Sequence, residues 1–167
     1  MDRRRFVVNA AAGTAVATHA AMASAQAAPQ VTWRLASSFP KSLDTVFNGA
    51  ELIASKVAAA TQGRFVIRVH AGGEVVPPLQ VMDAVQSGSV ECGHTLSNYY
   101  FGKEAALAFS SGMPFGLNAR QQNAWVYHGG GAELLRELFE SLGMVAFPAG
   151  NTGTQMGGWF RKEVKTI

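Results

Sequence analysis

Apolar and polar positions along this chain recur with two different periods. In VTWRLASSF (Val31 to Phe39), Val31, Trp33 and Leu35 alternate with Thr32 and Arg34, the period of a half-buried strand, and Pro40 stops it. Ser42 is placed to cap a helix running to about Thr61. On it Leu43, Val46, Phe47, Ala50, Ile53, Ala54 and Val57 fall on one face, and Gly63 suits the C′ position. Phe65, Ile67 and Val69 then alternate with Val66, Arg68 and His70 as a second strand. Pro77-Pro78 opens a short helix through Leu79, Met82 and Val85, closed at Gly88, and ECGHT (Glu91 to Thr95) reads as a short buried strand. Strand, helix, strand, helix, strand with short links predicts an α/β fold with parallel pairing and right-handed crossovers.

The second half is more helical. Asn118 to Gln121 spells a capping box before Ala124, Trp125 and Val126, and Gly129-Gly130-Gly131 breaks that helix. Leu134, Leu135, Leu138, Phe139 and Leu142 form the apolar face of the next helix, which Gly143 ends. MVAFP (Met144 to Pro148) and QMGGWF (Gln155 to Phe160) read as two further strands.

Composition adds one large correction. The chain has 167 residues, 48% apolar, enough for one core, and a formal charge of +3. Arg3, Arg4 and Arg5 supply most of that excess, so no basic stripe remains after Ala28 and nucleic acid is not an expected partner. MDRRRFVV, the run AAAGTAVATHAAMA and the Ala25-Gln26-Ala27 triplet match an export signal, with a mature start near Ala28. Arg3-Arg4-Arg5-Phe6-Val7 resembles a twin-arginine signal, an ordinary Sec signal being the alternative; either directs the chain to a bacterial periplasm. Cys92 is the only cysteine, which excludes an internal disulfide.

Several motifs point to chemistry they do not complete. Ser38-Phe39-Pro40-Lys41 spells S-x-x-K, but Pro40 opposes the helical turn that would join Ser38 to Lys41, and no K-T-G follows. Gly129 to Gly131 lies between helices, not after a strand, so it is no phosphate loop. Cys92 and His94 alternate on one strand, yet no second pair stands at ligand spacing. Nothing in these residues argues for an enzyme. What remains is Ser97-Asn98-Tyr99-Tyr100-Phe101-Gly102, directly after a strand and at the carboxyl edge where open α/β sheets place ligands. Gln155, whose amide both accepts and donates, is a second binding candidate.

VTWRLASSFP, TQGRFVIRVHAGGEVVPPLQVMDAVQSGSVECGHT and SNYYFGKEAALAFSSGMPFGLNARQQNAWVYHGGG resemble the solute-binding receptors of tripartite ATP-independent periplasmic (TRAP) transporters. The likeness runs from Val31 to Ile167, and SNYYFGKEAALAF with GNTGTQMGGWFRKEV is most similar to the subgroup that binds 2-oxoacids such as pyruvate. It implies a two-lobed clamshell of the periplasmic-binding-protein type II class that closes on an organic acid and hands it to a sodium-driven membrane permease. It implies no catalysis, and a homodimer in the full-length protein. By the same resemblance Tyr99 and Tyr100 contact substrate oxygens with Asn98 beside them. Gln155 contacts the substrate and a bound Na+ or Ca2+, and Asn151 is a hinge residue. The expected layout is an export signal at 1–27, an incomplete first lobe at 28–149 and the start of a second lobe at 150–167. The arginine that bridges the carboxylate is expected beyond Ile167. Two other readings stay open: a binding protein of another transport class, and an exported serine acylase using Ser38 and Lys41.

Overall fold

A computed structural model of the chain describes residues 31–153, 155 and 157–165. The export signal expected at residues 1–27 lies outside them. Three strands form one parallel sheet: β1 (Val31–Ser37) in the middle, β2 (Phe65–His70) on one side and β3 (Cys92–His94) on the other. The helix α1 (Asp44–Ala60) links β1 to β2 and packs on β2, burying Phe47 and Ala50. A 3-10 turn, Pro78–Gln80, leads into α2 (Val81–Gln86), which returns the chain to β3. After β3 come 3-10 turns at Ser97–Tyr100 and Ala105–Leu107, then α3 (Ala108–Ser111), α4 (Ala119–His128) and α5 (Gly131–Ser141).

Local chemistry explains most of these boundaries. The expected capping box is present: Asn118 Oδ1 accepts the Gln121 N–H at 3.0 Å, and Gln121 Oε1 accepts the Asn118 N–H at 3.0 Å. At the start of α1 the expectation fails. Leu43, not Ser42, occupies the cap, where its aliphatic side chain can make no bond, and its backbone N–H goes to Pro40 O at 3.0 Å in a tight turn. The end of α1 is a Schellman motif, with Gly63 N–H on Ala58 O at 2.8 Å and Gln62 N–H on Ala59 O at 3.2 Å. Gln62 therefore takes C′ at φ 52°, and Gly63 falls one residue further out.

Two apolar clusters carry the core. Ala36 on the middle strand is covered by Val81, Ala84 and Val90. Gly93 sits beneath the same helix, where a Cβ would meet Val81 Cγ1 at 2.6 Å, so α2 rides directly on the sheet. The second cluster joins Met82, Tyr100 and Leu107 to Leu138, Phe139, Leu142 and Met144. Complete burial of side chains such as Val81 and Leu107 contributes about 1.5–3 kcal/mol each.

Two expected strands are absent among the described residues. Met144 to Pro148 and Gly157 to Phe160 adopt no ladder, and Val145, Phe147, Trp159 and Phe160 are exposed. A short apolar run satisfies its backbone as a strand only beside a partner, and no described segment pairs with either. No helix among the described residues is long and apolar enough to cross a membrane.

Candidate functional site

The strand order places a topological switch point between β1 and β3. From β1 the chain moves outward to β2, then crosses back to pair β3 on the opposite side of β1. Such a reversal opens a crevice at the carboxyl ends of the two neighbouring strands. Here those ends are Ser37-Ser38-Phe39 and His94-Thr95, tied by Ser38 N–H on His94 O at 2.8 Å. The turn after β2 closes on the same edge: Gly72 N–H bonds Phe39 O at 2.9 Å. A Cβ on Gly72 would lie 2.9 Å from Ser38 O, so the close approach needs glycine.

Beneath the crevice runs a hydroxyl relay. Ser38 Oγ lies 2.6 Å from Pro78 O and 2.6 Å from Thr95 Oγ1; Thr95 Oγ1 lies 3.0 Å from Tyr100 Oη; and Met82 N–H reaches Tyr100 Oη at 3.2 Å. The Ser38 hydroxyl is directed at both the Pro78 carbonyl and Thr95 Oγ1, which accept. Thr95 and Tyr100 share a hydrogen bond in which either hydroxyl can donate, and Tyr100 accepts from Met82. No buried side-chain nitrogen or oxygen among the described residues lacks a partner. The relay clips the entry to α2 onto the ends of β1 and β3.

The residues singled out from the sequence occupy two places. Asn98, Tyr99 and Tyr100 share one 3-10 turn at the crevice. Tyr100 points inward, 3% exposed, with its hydroxyl spent in the relay. Tyr99 points outward, 42% exposed, its ring 6.5 Å from that of buried Phe39. Asn98 donates its backbone N–H to Ser111 Oγ at 3.2 Å and is exposed. Asn151 and Gln155 lie on an exposed irregular segment that passes over α1, where Ala149 O approaches the Gly49 position. Asn151 Oδ1 accepts the Gly153 N–H at 3.0 Å, and Gln155 Nε2 donates to Thr152 Oγ1 at 2.9 Å. Among the described residues no hydrogen bond joins the two groups.

Charges sit at the margins. At the far end of the sheet, Glu91 takes Arg34 Nε at 3.0 Å, an Arg34 terminal nitrogen at 2.7 Å and the Arg34 backbone N–H at 2.7 Å. Hydrogen bonds from the Arg34 side chain, then from its backbone, hold the Glu91 carboxyl at about 2. Burial pushes the Cys92 thiol to about 11 and holds His94 below its ordinary value.

Comparison with known proteins matches this architecture. The family model for bacterial extracellular solute-binding protein, family 7 (DctP), matches residues 36–167. The chain belongs to the DctP family. A curated relative, the monocarboxylate 2-oxoacid-binding periplasmic protein of a Nostoc strain, is 52% identical over the whole chain, which spans 47% of that protein. A TRAP transporter solute-binding protein from Bordetella bronchiseptica is 52% identical, with a TM-score of 0.77 over 83% of this chain and 41% of its own. That structure is a mixed-occupancy dimer with copurified calcium and picolinate in one site. The TRAP periplasmic solute-binding protein of Colwellia psychrerythraea, solved with calcium and pyruvate, is 36% identical at TM-score 0.77, covering 81% of this chain and 42% of its own. That of Pseudoalteromonas atlantica, solved with sodium and pyruvate, is 39% identical at TM-score 0.77, covering 81% and 41%. The chain thus spans about half the length of these relatives, and its fold is mixed α/β with a parallel sheet, like the matching part of these periplasmic binding proteins.

Gln155 is the sequence-predicted cation ligand of this DctP-family chain. Its amide nitrogen is engaged by Thr152 and its Oε1 accepts no hydrogen bond among the described residues, but Ca2+ takes six to eight oxygens. No group of three His, Cys, Asp or Glu among the described residues is arranged to hold a metal. The described residues therefore do not fit a complete cation site. Nor does the S-x-x-K motif form a dyad: Ser38 gives its proton to Pro78 O, while Lys41 Nζ is 2.9 Å from Glu74. Reading the sequence missed Phe39 and Thr95, and it weighed His94 as a metal ligand only to set that aside for an ordinary core or surface histidine. The usable signal was positional, since both groups directly end strands predicted to be parallel.

Proposed function

We propose that this DctP-family chain forms the first wall of a periplasmic receptor. Its ligand is a small monocarboxylate of the 2-oxoacid class, captured for sodium-coupled uptake by a TRAP permease in the membrane. The observation that carries this reading is the crevice at the β1–β3 switch point, where half-exposed Tyr99 stands over a buried aromatic floor. The 52% identity to the Nostoc 2-oxoacid-binding protein supports the ligand class. The Bordetella, Colwellia and Pseudoalteromonas structures, each solved with a cation and an organic acid bound, support a Na+ or Ca2+ ion that shares the ligand with Gln155. Tyr99 donates to a ligand oxygen while Asn98 lines the rim, and Asn151 lies where the chain crosses to the second lobe. Residues 28–149 belong to the first lobe and 150–167 begin the second. The role is binding and transfer without catalysis, in the periplasm, with homodimerisation in the full-length receptor.

One wall does not grip an anion. Neutral hydrogen bonds contribute about 0.5–1.5 kcal/mol net, whereas association costs roughly 4–15 kcal/mol in lost freedom. Calorimetry on residues 28–167 should therefore detect no oxoacid binding. The same residues joined to the remaining part of the Nostoc relative should bind pyruvate in a Ca2+- or Na+-dependent way. Millimolar or tighter binding by the chain alone, or none by the joined protein when it is folded, refutes the reading.

A further inference from the structure

The hydroxyl relay explains Tyr100 but leaves His94 without a role. Its geometry supplies one. Ser37 Oγ accepts the Phe39 N–H at 3.1 Å and lies 3.2 Å from His94 Nδ1. Among the described residues the Ser37 hydroxyl has no other acceptor, so its proton points to Nδ1. That nitrogen is the acceptor, and the ring carries its proton on Nε2. The His94 ring meets the Phe39 ring edge to face at 5.1 Å and 64°, and Phe39 in turn lies against Tyr99 at 6.5 Å and 52°. Phe39 is thereby held twice, by its backbone through Ser37 and by its ring through His94. The loop Ser37–His94–Phe39–Ser37 closes on itself, and Tyr99 leans on its outer side.

We propose that His94 is a positioning residue: as the neutral Nε2–H tautomer it fixes Phe39, and through Phe39 it sets the Tyr99 wall of the ligand crevice. This rests on the reading that Tyr99 faces the ligand. Protonation at Nδ1 removes the acceptor for Ser37 and loosens the loop, so acid shifts Tyr99. No Asp, Glu, Lys or Arg among the described residues pairs with His94. Ser37 on β1 and Phe39 beyond it are uncharged, and Cys92, two residues earlier on the same strand face, is a neutral thiol. Burial, the only cause of the His94 shift, favours the neutral ring.

The test begins with nitrogen-15 histidine spectra of the chain, which has four histidines and three tyrosines. The expected result is an unprotonated Nδ1 and a protonated Nε2 in wild type at neutral pH, a readout that needs no variant. Ser37→Ala should mix the tautomers and move the Tyr99 ring signals. His94→Asn, which keeps an acceptor for Ser37 but no ring, should also move Tyr99. A protonated Nδ1 in wild type, or Tyr99 signals that ignore both substitutions in folded protein, overturns the proposal. In the protein joined to the Nostoc remainder, Ser37→Ala should weaken pyruvate binding about three- to tenfold, the scale of one aromatic contact. Unchanged affinity there, with binding lost in Tyr99→Ala, overturns the role of His94 alone. Unchanged affinity in Tyr99→Ala overturns the placement of Tyr99 on which it rests.

Discussion

Replacing Tyr100 by Phe separates a structural hydroxyl from a ligand-binding one. The ring stays, so the packing of Tyr100 with Met82 and Leu107 keeps its volume and no cavity forms. What disappears is the acceptor for the Met82 N–H at 3.2 Å and the hydrogen bond shared with Thr95 at 3.0 Å. Met82 and Tyr100 are 4% and 3% exposed, so water does not replace the lost partner. A buried donor left without an acceptor costs about 1–3 kcal/mol. At roughly 2–4 °C per kcal/mol for a chain of this size, the melting temperature should fall by roughly 2–12 °C. Urea denaturation followed by circular dichroism measures the loss directly. Thr95→Val breaks the same relay one link further on, so the double variant should cost less than the sum of the singles, by about 0.5 kcal/mol or more. A Tyr100→Phe effect within about 0.5 kcal/mol, or strict additivity with Thr95→Val, would refute the relay. In the joined receptor, Tyr100→Phe should also leave pyruvate affinity close to wild type, because its hydroxyl is already spent; a large loss would return Tyr100 to the ligand contacts.

Other substitutions probe the scaffold. Gly93→Ala forces a methyl to within 2.6 Å of Val81 and should destabilise by about 1–3 kcal/mol in the same denaturation assay. Asn118→Ala removes the capping box of α4 and should cost about 1 kcal/mol, with Asn118→Ser restoring most of it. The Glu91 carboxyl is lowered from 4.5 to about 2 by Arg34, so its stabilising contribution is complete above pH 4.5 and is lost as pH falls toward 2. His94 is also lowered, from 6.5, so its contribution is complete above that value and declines as pH drops below it. Urea midpoints should therefore fall on acidification in both windows, and Arg34→Gln should flatten the lower one. A β-lactam probe should leave Ser38 unlabelled, since Lys41 is held by Glu74; covalent labelling read by mass spectrometry would reinstate the acylase reading.

How much of this was legible in the sequence follows the range of the interactions. The alternation of Val31, Trp33 and Leu35, the helical stripe through Phe47 and Ala50, and the Asn118–Gln121 box are local, and each element appears within two residues of its expected bounds. MVAFP carries the same kind of pattern and fails, because a strand is a relation between two segments and its partner is not encoded in the run itself. The candidate site was half visible. The position of Asn98 and Tyr99 after a strand could be read from order alone, whereas the inward turn of Tyr100 could not. Adjacent tyrosines on a 3-10 turn diverge, and only Thr95 and the Met82 amide decide which one is drawn into the core.

The link between core and site is the register of β1 against β3. Leu35 pairs with Cys92, Ala36 with Gly93 and Ser37 with His94, and these three pairs do different work. Ala36 and Gly93 are the only small pair, and they lie beneath α2, where Val81 tolerates nothing larger at Gly93. That packing fixes the pairing, since a slip of one residue would drive Leu35 or Ser37 under the helix. Once the small pair is seated, Ser37 must stand beside His94 on the opposite face, and Ser38 must meet Thr95 at the crevice. The polar clip and the aromatic floor under Tyr99 are therefore consequences of a core choice made one to three residues earlier on the two strands. A substitution at Gly93 should accordingly disturb the Tyr99 ring even though the two residues lie on different elements and share no contact in the relay.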